Sequence, residues 1–220
     1  MQTAAKKAWA DWLFYRYISR ELKKHFNAFH LTNALPPSIP DQSIIITPNH
    51  ISWWDGFFIY YLQKRFFKTK RFHILMLESQ LNRYPFFKKL GAFGFDPQSP
   101  ADTLKTFHYM KTLAQDPDNL LIFYPQGTIS SYEDVNLKKG LSIFLNKFPI
   151  PSLVWPIHFR IQYENQKTPA LYCRFGPLLK SQQLASDFFA FEDTFLSNLA
   201  HLTQDIHTKT ISSSLWSKKC

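Results

Sequence analysis

The sequence predicts an α/β fold: a single domain with a mixed sheet flanked by helices, preceded by an N-terminal amphipathic helical segment. Three observations carry this. Short apolar, β-branched runs recur along the chain, and helix-compatible stretches lie between them. The 220 residues are enough for one sizeable core but too few for two ordinary domains and a linker. The amphipathic segment is assigned residues 1–35 and the main domain residues 36–220.

Residues 4–29 read as a helix. Trp9, Leu13, Tyr17, Ile18, Leu22, Phe26 and Phe29 recur at helical spacing among Lys6, Lys7, Arg16, Arg20, Lys23 and Lys24. The segment ends before Pro36-Pro37. A basic face beside a Trp-rich apolar face fits a helix lying among lipid headgroups, and fits equally an amphipathic helix packed on its own domain. Residues 43–47, Ser-Ile-Ile-Ile-Thr, form the first strand-like run, and others follow at 72–77, 120–124, 152–155 and 170–175. Helical patterns cover about 55–65, 100–115, 137–147 and 182–210, and the Pro-bearing stretches at 96–100 and 165–169 read as loops.

Lys and Arg number 26 against 16 Asp and Glu, a net charge of +10, which predicts an anionic partner. Anionic lipid at a membrane surface, an acidic carrier protein and nucleic acid all fit that charge. Nucleic acid fits least: the basic residues are scattered and no recognition motif accompanies them. With 17% aromatic residues, including 22 Phe, the chain suits contact with acyl chains or a lipid interface, although core filling accounts for part of that content. No run approaches the roughly 20 apolar residues of a spanning helix, and no secretory signal follows Met1. The expected location is cytoplasmic, peripheral on the inner face of the membrane. Cys173 and Cys220, one in a strand-like run and one at the terminus, suggest neither a disulfide framework nor a metal site.

Two constellations carry chemistry. His50 follows the first strand by a few residues, where ligands and catalytic groups gather, and Asp55 comes five positions later at the start of a helix. A turn between them lets the carboxylate fix the imidazole tautomer, so that the histidine can act as a general base on an attacking hydroxyl or amine. A histidine merely satisfied by a neighbouring acid is the alternative. The second constellation, residues 124–130 (Tyr-Pro-Gln-Gly-Thr-Ile-Ser), follows another strand. Gly127 permits close approach to the backbone, and its neighbours offer N–H and hydroxyl donors for an anion or oxyanion. A plain strand-ending turn would look the same.

Taken together, these residues resemble the glycerolipid acyltransferase family, which includes the lysophosphatidic acid and glycerol-3-phosphate acyltransferases. The family's Asn-His, four residues, Asp block is matched in full by Asn49, His50 and Asp55. Its second block is similar to residues 90–97, Leu-Gly-Ala-Phe-Gly-Phe-Asp-Pro, and its Phe-Pro-Glu-Gly-Thr-Arg-Ser block to residues 124–130. Lys138-Lys139-Gly140, Val154-Trp155-Pro156-Ile157 and Phe175-Gly176-Pro177 match later features, so the likeness runs from about residue 44 to 177.

The resemblance implies that His50 is the base and Asp55 its orienter, with Asn49, Gln126, Gly127, Thr128 and Ser130 binding substrate. It implies a thioester of coenzyme A (acyl-CoA) or acyl carrier protein as co-substrate and a lipid-like acceptor; no other cofactor is expected. The departures narrow this. Where the family holds a glycerol phosphate with Arg, Glu and Arg, this chain has Pro97, Gln126 and Ile129, and Pro and Ile cannot clamp a phosphate. The expected acceptor is a hydroxyl or amine of a lipid other than glycerol phosphate, although Arg83, Lys138 or Lys139 could contact phosphate from new positions. The alternatives are an ordinary lysophosphatidic acid acyltransferase of phospholipid synthesis and a catalytically silent lipid- or carrier-binding protein.

Overall fold

The computed structural model describes residues 1–218, and Cys220 lies outside them. The first half of the chain runs α1 (Ala8–His25), β1 (Ala28–Leu31), β2 (Ile44–Pro48), α2 (Asp55–Phe66), β3 (Arg71–Leu77), α3 (Glu78–Arg83), a 3₁₀ helix (Pro85–Leu90) and β4 (Ala92–Phe95). The second half runs α4 (Pro100–Ala114), β5 (Asn119–Ile122), α5 (Gly140–Lys147), β6 (Leu153–Gln162), β7 (Ala170–Phe175), β8 (Leu179–Lys180), α6 (Ser181–Ser186), α7 (Phe189–His207) and β9 (Ser213–Ser217).

One sheet collects the strands in the order β4-β3-β5-β2-β6-β7-β1-β9, with β8 beside β6. The five strands from β4 to β6 are mutually parallel. Strand β7 turns antiparallel to β6, β1 runs parallel to β7, and β9 closes the row antiparallel to β1, so the sheet is mixed as expected.

Alternation along each strand divides the core between the two faces. Ile44 and Ile46 of β2, Leu120 and Ile122 of β5, and Trp155, Ile157 and Phe159 of β6 join α1 and α2 in one apolar cluster. Ile45, Leu121 and Val154 join α4, α5 and α7 in the other. Burial on both sides explains why β2 and β5 read as unbroken apolar runs.

Helix α1 buries a single stripe, Ala10, Phe14, Ile18 and Leu22, one residue per turn. The opposite side exposes Trp9, Trp12, Leu13 and Tyr17, each more than half accessible. Among the described residues no helix is long and apolar enough to cross a membrane.

Several expectations are corrected. The helix anticipated to residue 29 stops at His25, where Lys23, Lys24 and His25 complement its C-terminal dipole. Phe29 continues the helical spacing but is fully buried inside β1. The strand expected over 152–155 runs on through Pro156 to Gln162. The helix expected over 182–210 is broken at Asp187 and Phe188 into α6 and α7, and the Asp187 side chain accepts the Ala190 N–H at 3.3 Å. Strands β1, β4, β8 and β9 had not been anticipated.

Candidate active site

Strands β2 and β5 are adjacent and parallel, so the loops that follow them leave the sheet at the same end. His50 lies two residues beyond Pro48 and Tyr124 two beyond Ile122. Their rings stack with centroids 4.2 Å apart and planes 25° from parallel.

Asp55 opens α2 and is fully buried. One carboxylate oxygen, Oδ2, meets His50 Nδ1 at 2.9 Å and accepts the N–H groups of Ile51 and Ser52 at 2.7 and 2.9 Å. The other, Oδ1, accepts the Ser52 hydroxyl at 2.7 Å, and Ser52 Oγ in turn accepts the Trp54 N–H at 3.1 Å. A carboxylate at a helix N-terminus is favoured by the exposed N–H dipoles there. Acceptance at Asp55 assigns the neutral-imidazole proton to Nδ1 and leaves Nε2 with a lone pair. The His50 side chain is 24% exposed, so a histidine held in this way can take a proton from an incoming group.

The main chain of His50 is fastened as well. Its N–H donates to Gln126 Oε1 at 2.6 Å, the Gln126 amide nitrogen donates to Ser130 Oγ, and the Ser130 N–H returns to the His50 carbonyl at 2.9 Å. This ring joins the two constellations predicted from sequence. Asn49 ties the same loop to β6: its amide donates to the Phe159 carbonyl at 2.9 Å and its carbonyl accepts the Phe159 N–H at 2.8 Å.

Asn49 and Gln126 are therefore turned into the protein, 1% and 2% exposed, with both ends of each amide engaged by the protein itself. Their geometry is that of positioning residues. Gly127, Thr128 and Ser130 lie along the turn. Gly127 has φ +69°, a left-handed conformation that favours glycine, and the Lys138 stem lies where a Cβ would project, 3.2 Å from Cδ. Gln126, Thr128, Ser130, Asp134, Asn136 and Lys138 line a polar basin of about 170 Å³. Ile129 is 54% exposed, and Pro97 sits in the turn after β4, with β3 and β5 standing between β4 and β2.

Two contributors escaped the sequence reading. Ser52 forms with Asp55 a Ser-x-x-Asp pattern of the capping-box kind, a signal that was present. Tyr124 enters that reading only as the first residue of the second constellation; its stack on His50 across two loops left no sequence signal. Its hydroxyl is buried without a hydrogen-bond partner among the described residues. Burial first, and the Asp55 charge second, push that hydroxyl well above the usual phenol range. Among the described residues no group of His, Cys, Asp or Glu side chains is arranged to hold a metal.

The sequence model of the Acyltransferase family matches residues 28–159, more than half of the chain, and that span holds every residue of this site. The chain belongs to the Acyltransferase family. It is an acyltransferase enzyme by that membership. Among solved structures it is similar to the 1-acyl-sn-glycerophosphate (LPA) acyltransferase PlsC from Thermotoga maritima. The TM-score is 0.63 at 13% identity, over 88% of this chain and 78% of that one, a likeness of fold. No curated protein matches the sequence. The acyltransferase match begins at β1 and ends inside β6, so it takes in the parallel half of the sheet and both loops that meet at His50.

Proposed function

We propose that this acyltransferase moves a fatty acyl group from an acyl thioester, of coenzyme A or acyl carrier protein, to a hydroxyl or amine of a lipid-like acceptor at a membrane surface. The observation that carries the reading is the His50 ring fixed through Nδ1 by a buried Asp55. His50 Nε2 removes the acceptor's proton as its oxygen or nitrogen attacks the thioester carbonyl carbon. The tetrahedral intermediate collapses with cleavage of the carbon–sulfur bond, and the imidazolium returns the proton to the departing thiolate. Asp55 stabilises that imidazolium and keeps the productive tautomer. Asn49 and Gln126 hold the loop in register, and the exposed turn at Gly127 and Thr128 faces the reactants.

The acceptor is read as something other than glycerol phosphate. Pro97 and Ile129 offer no donor, and Gln126 is spent on His50 and Ser130. The basin beside the turn combines hydroxyl, amide, carboxylate and ammonium groups, a mixture that suits a hydroxyl- or amine-bearing headgroup better than a bare phosphate. Lys138 favours one rival, lysophosphatidic acid as acceptor.

Membrane docking is supported by α1, which exposes Trp9, Trp12, Leu13 and Tyr17 on the side away from the core, flanked by Arg16 and Arg20. Location on the inner, cytoplasmic face of a membrane belongs to the same proposal.

Full-length protein incubated with radiolabelled acyl thioester and a total lipid extract tests the reading, with the product identified by mass. An acylated hydroxy- or amino-lipid is expected. Label found only in phosphatidic acid would replace the acceptor with lysophosphatidic acid. Thioester binding without turnover over a broad acceptor panel would identify a silent binding protein.

A further inference from the structure

A second feature lies at the same end of the sheet as His50. Between the C-terminal end of α1, Trp54 and the turn joining β6 to β7 runs an open groove of about 440 Å³. Phe26, Trp54 and Ile161 give it an apolar wall, Lys24 and Lys167 bring cations to it, and His25 adds an imidazole. Among the described residues no carboxylate lines it. The nearest acid on the helix, Glu21, stands 3.9 Å from His25, and Glu164 is taken by the Tyr172 hydroxyl. Among the described residues neither Lys24 nor Lys167 has a carboxylate partner.

The groove is mechanically joined to the site. Trp54 immediately precedes Asp55, and its ring packs edge-on against His25 and Phe26 with centroids 5.1 and 5.6 Å apart. Ser130 bonds the His50 carbonyl, while the Tyr132 hydroxyl accepts the Ile161 N–H at 2.7 Å. Residues 130 and 132 are at most about 7 Å apart along the chain, so Ser130 and the Tyr132 side chain link the His50 main chain to the groove wall at Ile161.

We propose that this groove seats the phosphate-bearing pantetheine arm of the acyl donor, an inference that rests on the acyl-thioester reading given above. The methyl and methylene groups of the arm lie along Phe26, Trp54 and Ile161, and its phosphate meets Lys24 and Lys167. The thioester end then reaches past the loop at Tyr132 toward His50. Coenzyme A and acyl carrier protein both carry this arm, so the shared chemistry is the phosphopantetheine and not either carrier.

Binding is best read on full-length His50→Ala protein, where turnover does not intrude. Dissociation constants are measured by calorimetry for palmitoyl-coenzyme A, palmitoyl carrier protein and palmitoyl-pantetheine lacking the phosphate. Adding Lys24→Glu and Lys167→Glu weakens the phosphate-bearing ligands by roughly tenfold and the phosphate-free one by less than about twofold. If the parent binds only one of the two carriers, its loss on charge reversal supports the groove and names the donor's carrier; a loss confined to one of two carriers that both bind overturns the shared arm as occupant. Lys111→Glu with Lys147→Glu, which makes the same charge change on α4 and α5 across the sheet, leaves all three constants unchanged. Lys167→Ala alone, a single truncation in the turn, gives a smaller loss in the same order and guards against misfolding of the double variant. Equal affinity with and without the two reversals, or an equal loss for the phosphate-free thioester, overturns the groove and leaves the role of His50 standing. Failure of the His50→Ala parent to bind any of the three thioesters overturns the donor reading itself.

Discussion

Gln126 accepts the main-chain N–H of His50 at 2.6 Å across 76 residues of sequence, and this bond carries the loop after β5 onto the loop after β2. Removing it strands a buried donor, which costs about 1–3 kcal/mol. Gln126→Ala is therefore expected to lower stability by that order in chemical denaturation and to reduce kcat more than it raises KM, because the base is misplaced while the substrate groups remain. Gln126→Glu keeps an acceptor for His50, and the Ser130 hydroxyl can rotate to donate, so it should retain measurable activity. Gln126→Glu as inactive as Gln126→Ala would show that the amide itself is needed.

Asp55 gathers a histidine, two main-chain N–H groups and a serine hydroxyl on one carboxylate. Asp55→Asn presents a donor where those groups need acceptors and favours the wrong imidazole tautomer. By analogy with other His–carboxylate pairs, kcat should fall on the order of 10³–10⁴-fold. Steady-state kinetics of the purified variant, with a melting curve to confirm that it is folded, decides the point. Near-normal kcat would remove Asp55 from the mechanism.

Tyr124 contributes its ring and buries a hydroxyl that has no partner among the described residues. Tyr124→Phe keeps the stack on His50 and deletes the orphaned group, so the protein should gain up to about 1–3 kcal/mol and keep its activity. Tyr124→Ala should lose both. Destabilisation by Tyr124→Phe in a urea melt would mean that the hydroxyl has a partner in solution.

The outer face of α1 is expected to hold the enzyme on anionic bilayers. Trp12→Ser with Tyr17→Ser leaves the buried stripe intact, so the melting temperature should change little while co-sedimentation with phosphatidylglycerol vesicles drops. Raised salt should weaken binding of the parent through Arg16 and Arg20. Undiminished sedimentation of the double variant would assign the exposed rings another role.

His158 is fully buried on β6, accepts from Asn198 at 2.7 Å, and is pushed by burial down to about 3, while burial first and Lys6 second lower His73 to about 4. Both rings are thus neutral in the fold and protonate in the unfolded chain below about 6.5. The unfolded state binds more protons in that window, so stability rises with pH. Unfolding free energy should decline as pH falls from 6.5 toward 4, by at most about 1.4 kcal/mol per unit for each ring. A flat profile over this range would contradict the burial of both.

Much of the site was legible because it is local. A β-branched run, then Asn49, His50 and Asp55 on the turn into a helix, states in a few residues where a histidine and a carboxylate meet. A sheet covered by helices was legible because strands buried on both faces are continuously apolar. What escaped depends on partners far away in the chain. Phe29 repeats the helical spacing of α1, and only pairing of β1 with β7 and β9, more than 140 residues on, makes it a strand residue. The inward turn of Asn49 is set by Phe159, 110 residues later, and nothing near Asn49 announces it. The engagement of Gln126 was hidden for the same reason: its side chain meets the main chain of His50, 76 residues earlier, and the hydroxyl of Ser130.

The central claim is that His50 is the base that activates the acceptor, and single-turnover transfer by His50→Ala tests it most directly. The variant, in excess over a radiolabelled acyl thioester, is mixed with it and with the acceptor found for the parent, and the label in the product is counted against time. Loss of nearly all transfer, in a protein that melts like the parent and still binds the thioester, is the predicted result. Transfer at the parental rate would contradict the account.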